Sequence, residues 1–277
     1  MKTPDAVRLA SRFILATVVT GLLNSTILAG ELLCAVGYNG EFTYIDLTTG
    51  EVTLTRNDLP EGLQALARAP DGTLFAGRAG ELYTLDPLTG DTSLFLSLDL
   101  DIHGMAFSPS GDLYVIESAP REPDTLTIVN LKDGTFRSVN DLWGDVRDAE
   151  GLAFSPDGEL YGVLPRSSAE GTYDLFTIDL DDAKTDLIGS QIGVDLSQSL
   201  IFTPGGRLYA LGKTNGPDGA ISSFARLDPS SGDIMGPVLT FPGDYRGLEL
   251  VPEPATLLLL GLGGVVLLSR PRRNCRA

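Results

Sequence analysis

Few side chains in this sequence have the types and spacing that catalysis requires. The chain has one histidine, His103, which is a candidate general base. Neither a nucleophile nor an orienting carboxylate is apparent beside it in the sequence, and the G-x-S-x-G motif of serine hydrolases does not occur. Two cysteines, Cys34 and Cys275, are too few for a cysteine-rich zinc module. We therefore predict no catalytic residue and no resident metal ion.

Five polar side chains share one place in a repeated pattern, directly before an apolar segment. They are Gln64, His103, Glu150, Gln198 and Arg246. This pattern fits a ligand site, but any residue that meets water at such a place is also expected to be polar. Asp148 and Glu150 supply carboxylates that could bind Ca²⁺, which is the alternative kind of ligand. An arginine opposite Glu150, as Arg246 would be, is expected to form an ion pair with it and not to tolerate a divalent cation beside it.

A repeated hairpin positions these residues. The full copies are ALARAPDGTLF, GMAFSPSGDLY, GLAFSPDGELY and SLIFTPGGRLY, and a fifth begins as GLELV. Their prolines are Pro70, Pro109, Pro156, Pro204 and Pro252, at spacings of 39, 47, 48 and 48 residues. Proline followed two residues later by glycine favours a type I turn between two strands.

A third strand follows each hairpin and ends in Asp or Asn in all five copies, as in 42–50 (FTYIDLTTG) and 82–90 (LYTLDPLTG), and a short fourth strand comes next. Four antiparallel strands repeated every 40 to 48 residues are typical of β-propeller blades. The chain begins with second-to-fourth strands and ends with a first strand, so 248–251 should pair with 32–36. The sequence predicts an all-β, five-bladed β-propeller closed by its N- and C-terminal strands, with the five polar residues around one mouth of its channel.

Both termini lie outside this repeat. Residues 1–30 have a basic start, an apolar stretch over 13–23 and small residues up to Gly30, which predicts a secretory signal peptide with a helical apolar region. At the other end, Val251-Pro252-Glu253-Pro254 precedes an apolar run over 257–268. A basic cluster follows, consisting of Arg270, Arg272, Arg273 and Arg276. This order predicts a short transmembrane helix with a basic stop on the cytoplasmic side.

The three ordered elements of this terminus resemble the PEP-CTERM protein-sorting tail of Gram-negative bacteria that make exopolysaccharide. The resemblance covers about 27 residues and implies processing by an exosortase, a membrane transpeptidase-like enzyme, near Pro252-Glu253-Pro254. The domains are then a signal peptide (1–30), a propeller (31–251) and a sorting tail (252–277). Because no linker separates the last strand from the motif, we expect processing to precede ring closure or to require fraying of that strand. The repeats are similar to the YVTN, NHL and WD40-like propellers, which implies the fold and no particular activity.

The net charge of the chain and its expected location limit the classes of molecule that could bind it. The chain carries a formal charge of −17, and the part between the two terminal segments is still more acidic. Nucleic acid is therefore excluded as a partner, because phosphate recognition needs clustered Lys and Arg. We expect an exported monomer at the cell envelope, on the outer surface or outside the cell. The tail would anchor it transiently in the inner membrane, and an exopolysaccharide or an envelope protein would be its partner.

The sequence favours a non-catalytic binding or matrix-associated protein without a cofactor. Glu150 resembles the glutamate of calcium-dependent propeller lactonases, which implies an enzyme of the lactonase or lyase kind as the alternative. Those enzymes need further Asn or Asp ligands, which the matching positions in the other blades do not supply. A structural scaffold without a ligand is the third possibility.

Overall fold

A computed structural model describes residues 32–251 apart from positions 48, 119–121, 144–145, 166–171, 193 and 218. The predicted signal helix and transmembrane helix lie outside the described residues, as do the sorting-motif residues from Pro252 onward and the four terminal arginines. The described part of the chain contains no helix that is long and apolar enough to cross a membrane.

The described residues form twenty strands that follow one another with short connections. The first ten are β1 (Leu32–Gly37), β2 (Phe42–Asp46), β3 (Val52–Arg56), β4 (Ala65–Arg68), β5 (Leu74–Arg78), β6 (Glu81–Leu85), β7 (Thr92–Ser97), β8 (Ile102–Phe107), β9 (Leu113–Glu117) and β10 (Thr125–Val129). The others are β11 (Phe136–Asp141), β12 (Gly151–Phe154), β13 (Leu160–Pro165), β14 (Thr172–Ile178), β15 (Thr185–Ile192), β16 (Ser199–Phe202), β17 (Leu208–Gly216), β18 (Gly219–Leu227), β19 (Leu239–Pro242) and β20 (Tyr245–Leu250).

These strands assemble into five four-stranded antiparallel sheets, which are the blades of a propeller. Blade 1 has the order β20-β1-β2-β3. Blades 2 to 5 are β4–β7, β8–β11, β12–β15 and β16–β19, each in chain order. The inner strands β20, β4, β8, β12 and β16 contact one another in sequence around the axis, and β16 contacts β20 to complete the circle. The predicted all-β, five-bladed propeller is confirmed.

Blade 1 is completed from both ends of the described chain. β1 pairs antiparallel with β20, and the directly opposed residues include Leu33 with Leu250, Cys34 with Glu249 and Ala35 with Leu248. This is the predicted pairing of 32–36 with 248–251. It leaves neither terminal strand as an open edge inside the ring.

The hairpins close through the predicted proline–glycine turn. The N–H of Gly72 donates to the carbonyl of Ala69 at 2.9 Å, and the same bond recurs in the next three blades. Gly72 has a φ of +91°, which is the left-handed region where glycine carries no steric cost. Such a glycine forms the bulge that follows a type I turn in a three-residue hairpin loop.

Apolar packing between neighbouring blades holds the ring together. Each of four hydrophobic clusters draws its residues from the facing sides of two blades. Aromatic pairs cross these interfaces, with ring centroids 5.4 Å apart for Tyr114 and Phe154 and 5.0 Å apart for Tyr161 and Phe202. Since all inner strands run in the same direction, equivalent residues of the five blades meet at the same end of the channel.

Candidate functional site

The channel is constricted near the beginning of its inner strands. A Cβ atom added to Gly104 would lie 2.4 Å from the carbonyl oxygen of Glu150, and one added to Gly247 would lie 2.8 Å from the backbone nitrogen of Leu66. Gly151 faces the backbone of Ser199 and Leu200 at 3.0 Å in the same way. At these three positions the backbone of a neighbouring blade leaves no room for a side chain, whereas the equivalent residues of blades 2 and 5 are Ala65 and Ser199. The constriction separates a polar mouth from a cavity at the turn end.

Arg246 connects three of the five predicted mouth residues. Its Nη1 lies 3.4 Å from Oε1 of Gln64 in blade 2 and 3.9 Å from Oε1 of Glu150 in blade 4. The side chains of Arg246 and Glu150 are 14% and 15% exposed, so the two charges face each other largely shielded from water. This is the ion pair expected from an arginine opposite Glu150.

Asp244 holds Arg246 in this position. Its Oδ1 accepts a hydrogen bond of 2.8 Å from Nε of Arg246, and its Oδ2 is 3.2 Å from Nζ of Lys213. Burial opposes ionisation of Asp244, but the hydrogen bond and charge of Arg246, together with Lys213, lower its pKa below the ordinary value. The guanidinium also lies 4.7 Å from the ring centroid of Tyr38, within cation–π range.

Glu150 is the mouth residue whose ionisation is most perturbed. Burial raises its pKa to about 7, against the opposing charges of Arg246 and Lys213, while Asp195 and Asp148 add to the rise. Its Oε2 is buried and has no hydrogen-bond partner among the described residues. The weak pairing at 3.9 Å therefore compensates only part of the cost of burying this carboxylate.

The remaining two mouth residues lie apart from the contacts of Arg246. Gln198 is 6% exposed, and its Oε1 finds no hydrogen-bond partner within the described part of the chain. Nε2 of His103 is 3.6 Å from Oδ2 of Asp101. The prediction that no carboxylate close in sequence accompanies His103 was therefore wrong, because Asp101 precedes it by only two residues and side chains two residues apart share a face of an extended chain.

No group of three or more His, Cys, Asp or Glu side chains could hold a metal ion within the described residues. The acidic residues of the mouth are instead spread over several blades and are paired with Arg246 and Lys213 where they meet. The mouth offers no described ligand set for the alternative Ca²⁺ site.

The turn end of the channel contains a cavity that the sequence analysis missed. Its volume is about 300 Å³, and all five inner strands line it. The wall is mostly apolar and includes Ala67, Ala106, Phe107, Ala153, Phe154 and Phe202. The small alanine side chains leave this space open at the centre of the ring.

One polar pair interrupts this apolar wall where blades 1 and 2 meet. Nε of Arg68 lies 3.8 Å from Oε1 of Glu249, and the two side chains are 20% and 13% exposed. Arg68 also donates from Nη2 to the carbonyl of Leu250 and from Nη1 to that of Gly72. Burial raises the pKa of Glu249, and Arg68 opposes the rise. In the other copies of the repeat the position of Arg68 is phenylalanine or leucine and that of Glu249 is alanine or isoleucine, so their pairing was detectable from the aligned copies.

The closing strand of the ring runs directly into a recognised motif. Residues 250–273 match the PEP-CTERM protein-sorting motif. The chain carries a PEP-CTERM sorting signal. The motif implies an exported protein that is processed by exosortase and held at the membrane before processing. Its first two residues, Leu250 and Val251, belong to the described propeller, and Leu250 is still paired with Leu33.

Comparisons with known proteins add support for the fold alone. No curated protein sequence matches the chain. A chain of the nidogen/laminin complex is similar at a TM-score of 0.52 and 14% identity, covering 79% of this chain and 97% of that one. The gluconolactonase XC5397 of Xanthomonas campestris gives a TM-score of 0.47 at 15% identity over 82% and 84% of the two chains. Hydrazine synthase of Kuenenia stuttgartiensis gives a TM-score of 0.43 at 16% identity. The match covers 76% of this chain but only 65% of the hydrazine synthase chain.

Proposed function

We propose that this chain is a non-catalytic binding protein of the cell envelope or outer surface, and that it holds a small ligand in the turn-end cavity of its propeller. The observation that supports the binding role is the cavity itself, which residues from the inner strands of all five blades line. Pockets that hold small ligands are concave, mostly apolar and equipped with a few polar groups, and they run from roughly 300 to 1,000 Å³.

The mouth is the less suitable end for a ligand. The positive charges of Arg246 and Lys213 already face the carboxylates of Asp244 and Glu150, and a ligand reaching Glu150 would have to displace Arg246. The five mouth residues therefore stay predicted ligand contacts, and we assign binding to the cavity. A matrix role with an exopolysaccharide or envelope-protein partner is the biological setting that the sorting signal suggests.

The experiment is recovery of the natural ligand with the intact protein from envelopes of the producing cells. The variant Ala106→Phe places a large side chain in the cavity, whereas Ala220→Phe adds the same ring at the tip of the β17–β18 hairpin. We expect mass spectrometry of organic extracts to find a small molecule enriched about tenfold with the unsubstituted protein and with Ala220→Phe. Ala106→Phe should lose that enrichment. Identical extracts from all three proteins would contradict the binding function.

The enzyme alternative is tested on the same preparations. We expect no lactone hydrolysis with or without added Ca²⁺. Turnover that requires Ca²⁺ and disappears in Glu150→Ala would overturn the non-catalytic assignment and would favour a lactonase or lyase.

A further inference from the structure

We infer that the turn-end cavity takes a neutral, single-ring molecule carrying one hydroxyl group, with phenols as the chemical class. This inference rests on the proposed function and specifies its ligand. Two features of the wall carry it, namely the apolar surface contributed by blades 3 to 5 and the Arg68–Glu249 pair on the opposite side.

The apolar side suits a ring. Phe107, Phe154 and Phe202 occupy equivalent positions at the ends of β8, β12 and β16, and Met105 lies beside them in the wall. Aromatic side chains favour edge-to-face or offset contacts with another ring, and the methionine sulfur also contacts ring edges favourably. The small side chains of Ala106 and Ala153 leave the space between these residues open.

The polar side suits a hydroxyl group. A guanidinium has five N–H donors, and among the described residues Arg68 has two acceptors, the carbonyls of Leu250 and Gly72, besides its approach to Glu249. Glu249 accepts from the backbone N–H of Leu250 at 2.8 Å and from that of Arg68, and its carboxylate has room for a further donor. A hydroxyl both donates and accepts, so it can bond to either member of this pair.

The charge balance of the pair argues against an ionised ligand. Arg68 and Glu249 neutralise each other, so neither has a charge left to compensate that of a ligand. A carboxylate or ammonium group would therefore enter a mostly apolar cavity unpaired. The pair also departs from the repeat, in which the other inner strands place phenylalanine or leucine at the position of Arg68 and alanine or isoleucine at that of Glu249. The polar spot is thus a local addition to an otherwise apolar wall.

Binding of four ring compounds to the full chain in lipid nanodiscs tests this inference, with affinities referred to the free concentration of each compound. The set is p-cresol, toluene, benzoate and benzylamine at pH 7.5. We expect p-cresol to bind at least tenfold more tightly than toluene and than either ion. Ala106→Phe should abolish binding of p-cresol, and Ala220→Phe should leave it unchanged.

The variant Glu249→Gln separates a ligand contact from a purely structural role. It leaves the charge of Arg68 without its partner, so benzoate should gain at least tenfold in affinity while p-cresol loses its advantage. Equal binding of toluene and p-cresol, lost in Ala106→Phe, would overturn the hydroxyl inference and leave the cavity as a binding site. If none of the four compounds binds, the phenol inference is also overturned. The proposed binding function would still stand or fall with the natural ligand recovered from envelopes. Should Glu249→Gln fail to fold, the comparison of p-cresol with toluene still decides the inference.

Discussion

The variant Gly247→Val is expected to lose about 3 kcal/mol or more of its free energy of unfolding, a large part of what a domain usually has. A Cβ atom at this position would lie 2.8 Å from the backbone nitrogen of Leu66 and 2.9 Å from the carbonyl carbon of Ala65. Backbone atoms of blade 2 cannot rotate away as a side chain would. The substitution therefore forces the closing strand β20 away from β4, and urea unfolding of the exported protein measures the cost.

Gly205→Val is the matched control for this substitution. Gly205 lies in the turn before β17, and an added Cβ would meet nothing closer than Oγ1 of Thr203 at 3.9 Å. We expect this variant to stay within about 0.5 kcal/mol of the unsubstituted protein, as is usual for surface changes. Equal stability of the two valine variants would show that the inner strands do not approach as described.

Arg246→Ala is expected to destabilise the ring by about 3 kcal/mol at pH 8, because it leaves Asp244 and Glu150 largely buried with less positive charge to compensate them. The loss should shrink when Glu150→Gln is added, since one of the two uncompensated carboxylates is then absent. Double-mutant analysis of urea unfolding gives the coupling energy between the two positions. Additive effects of the two substitutions would mean that Arg246 and Glu150 do not interact.

The pH dependence of the same variant gives a second result with a definite sign. The pKa of Glu150 is raised to about 7 in the folded protein, from 4.5 as its ordinary value, so this residue lowers stability progressively as the pH rises through that window. Removing Arg246 takes away the charge that most opposes this rise. The cost of Arg246→Ala should therefore be larger at pH 8 than at pH 5, where Glu150 is protonated in the folded protein. A cost that is the same at both pH values would contradict the assigned role of Glu150.

Much of the architecture was predictable because its signals are local and repeated. The proline–glycine turns mark the end of every inner strand except the last, and Asp or Asn turns mark the end of all five third strands. The order in which the chain begins and ends predicted the pairing of β1 with β20. The place of Gln64, Glu150 and Arg246 around one mouth followed from their equivalent positions in the repeat.

The contacts within the channel were not predictable in the same way. The ion pair of Arg246 with Glu150 was expected, but its contacts with Gln64, Asp244 and Tyr38 depend on the direction of a long side chain, which no sequence spacing records. The cavity depends on how the small side chains of several blades, such as Ala106 and Ala153, come together at the centre of the ring.

The most direct test of the ring is a disulfide between its two terminal strands. Cys34 of β1 lies directly opposite Glu249 of β20. In a chain with Glu249→Cys and Cys275→Ser, prolonged oxidation should join residues 34 and 249, as identified by mass spectrometry of proteolytic fragments. Leu248→Cys in the same background should not form this link, because its side chain points to the other face of the strand. A specific 34–249 disulfide is the result that our account predicts. Its absence, or equal linking through position 248, would contradict closure of the propeller by the strand that leads into the sorting signal.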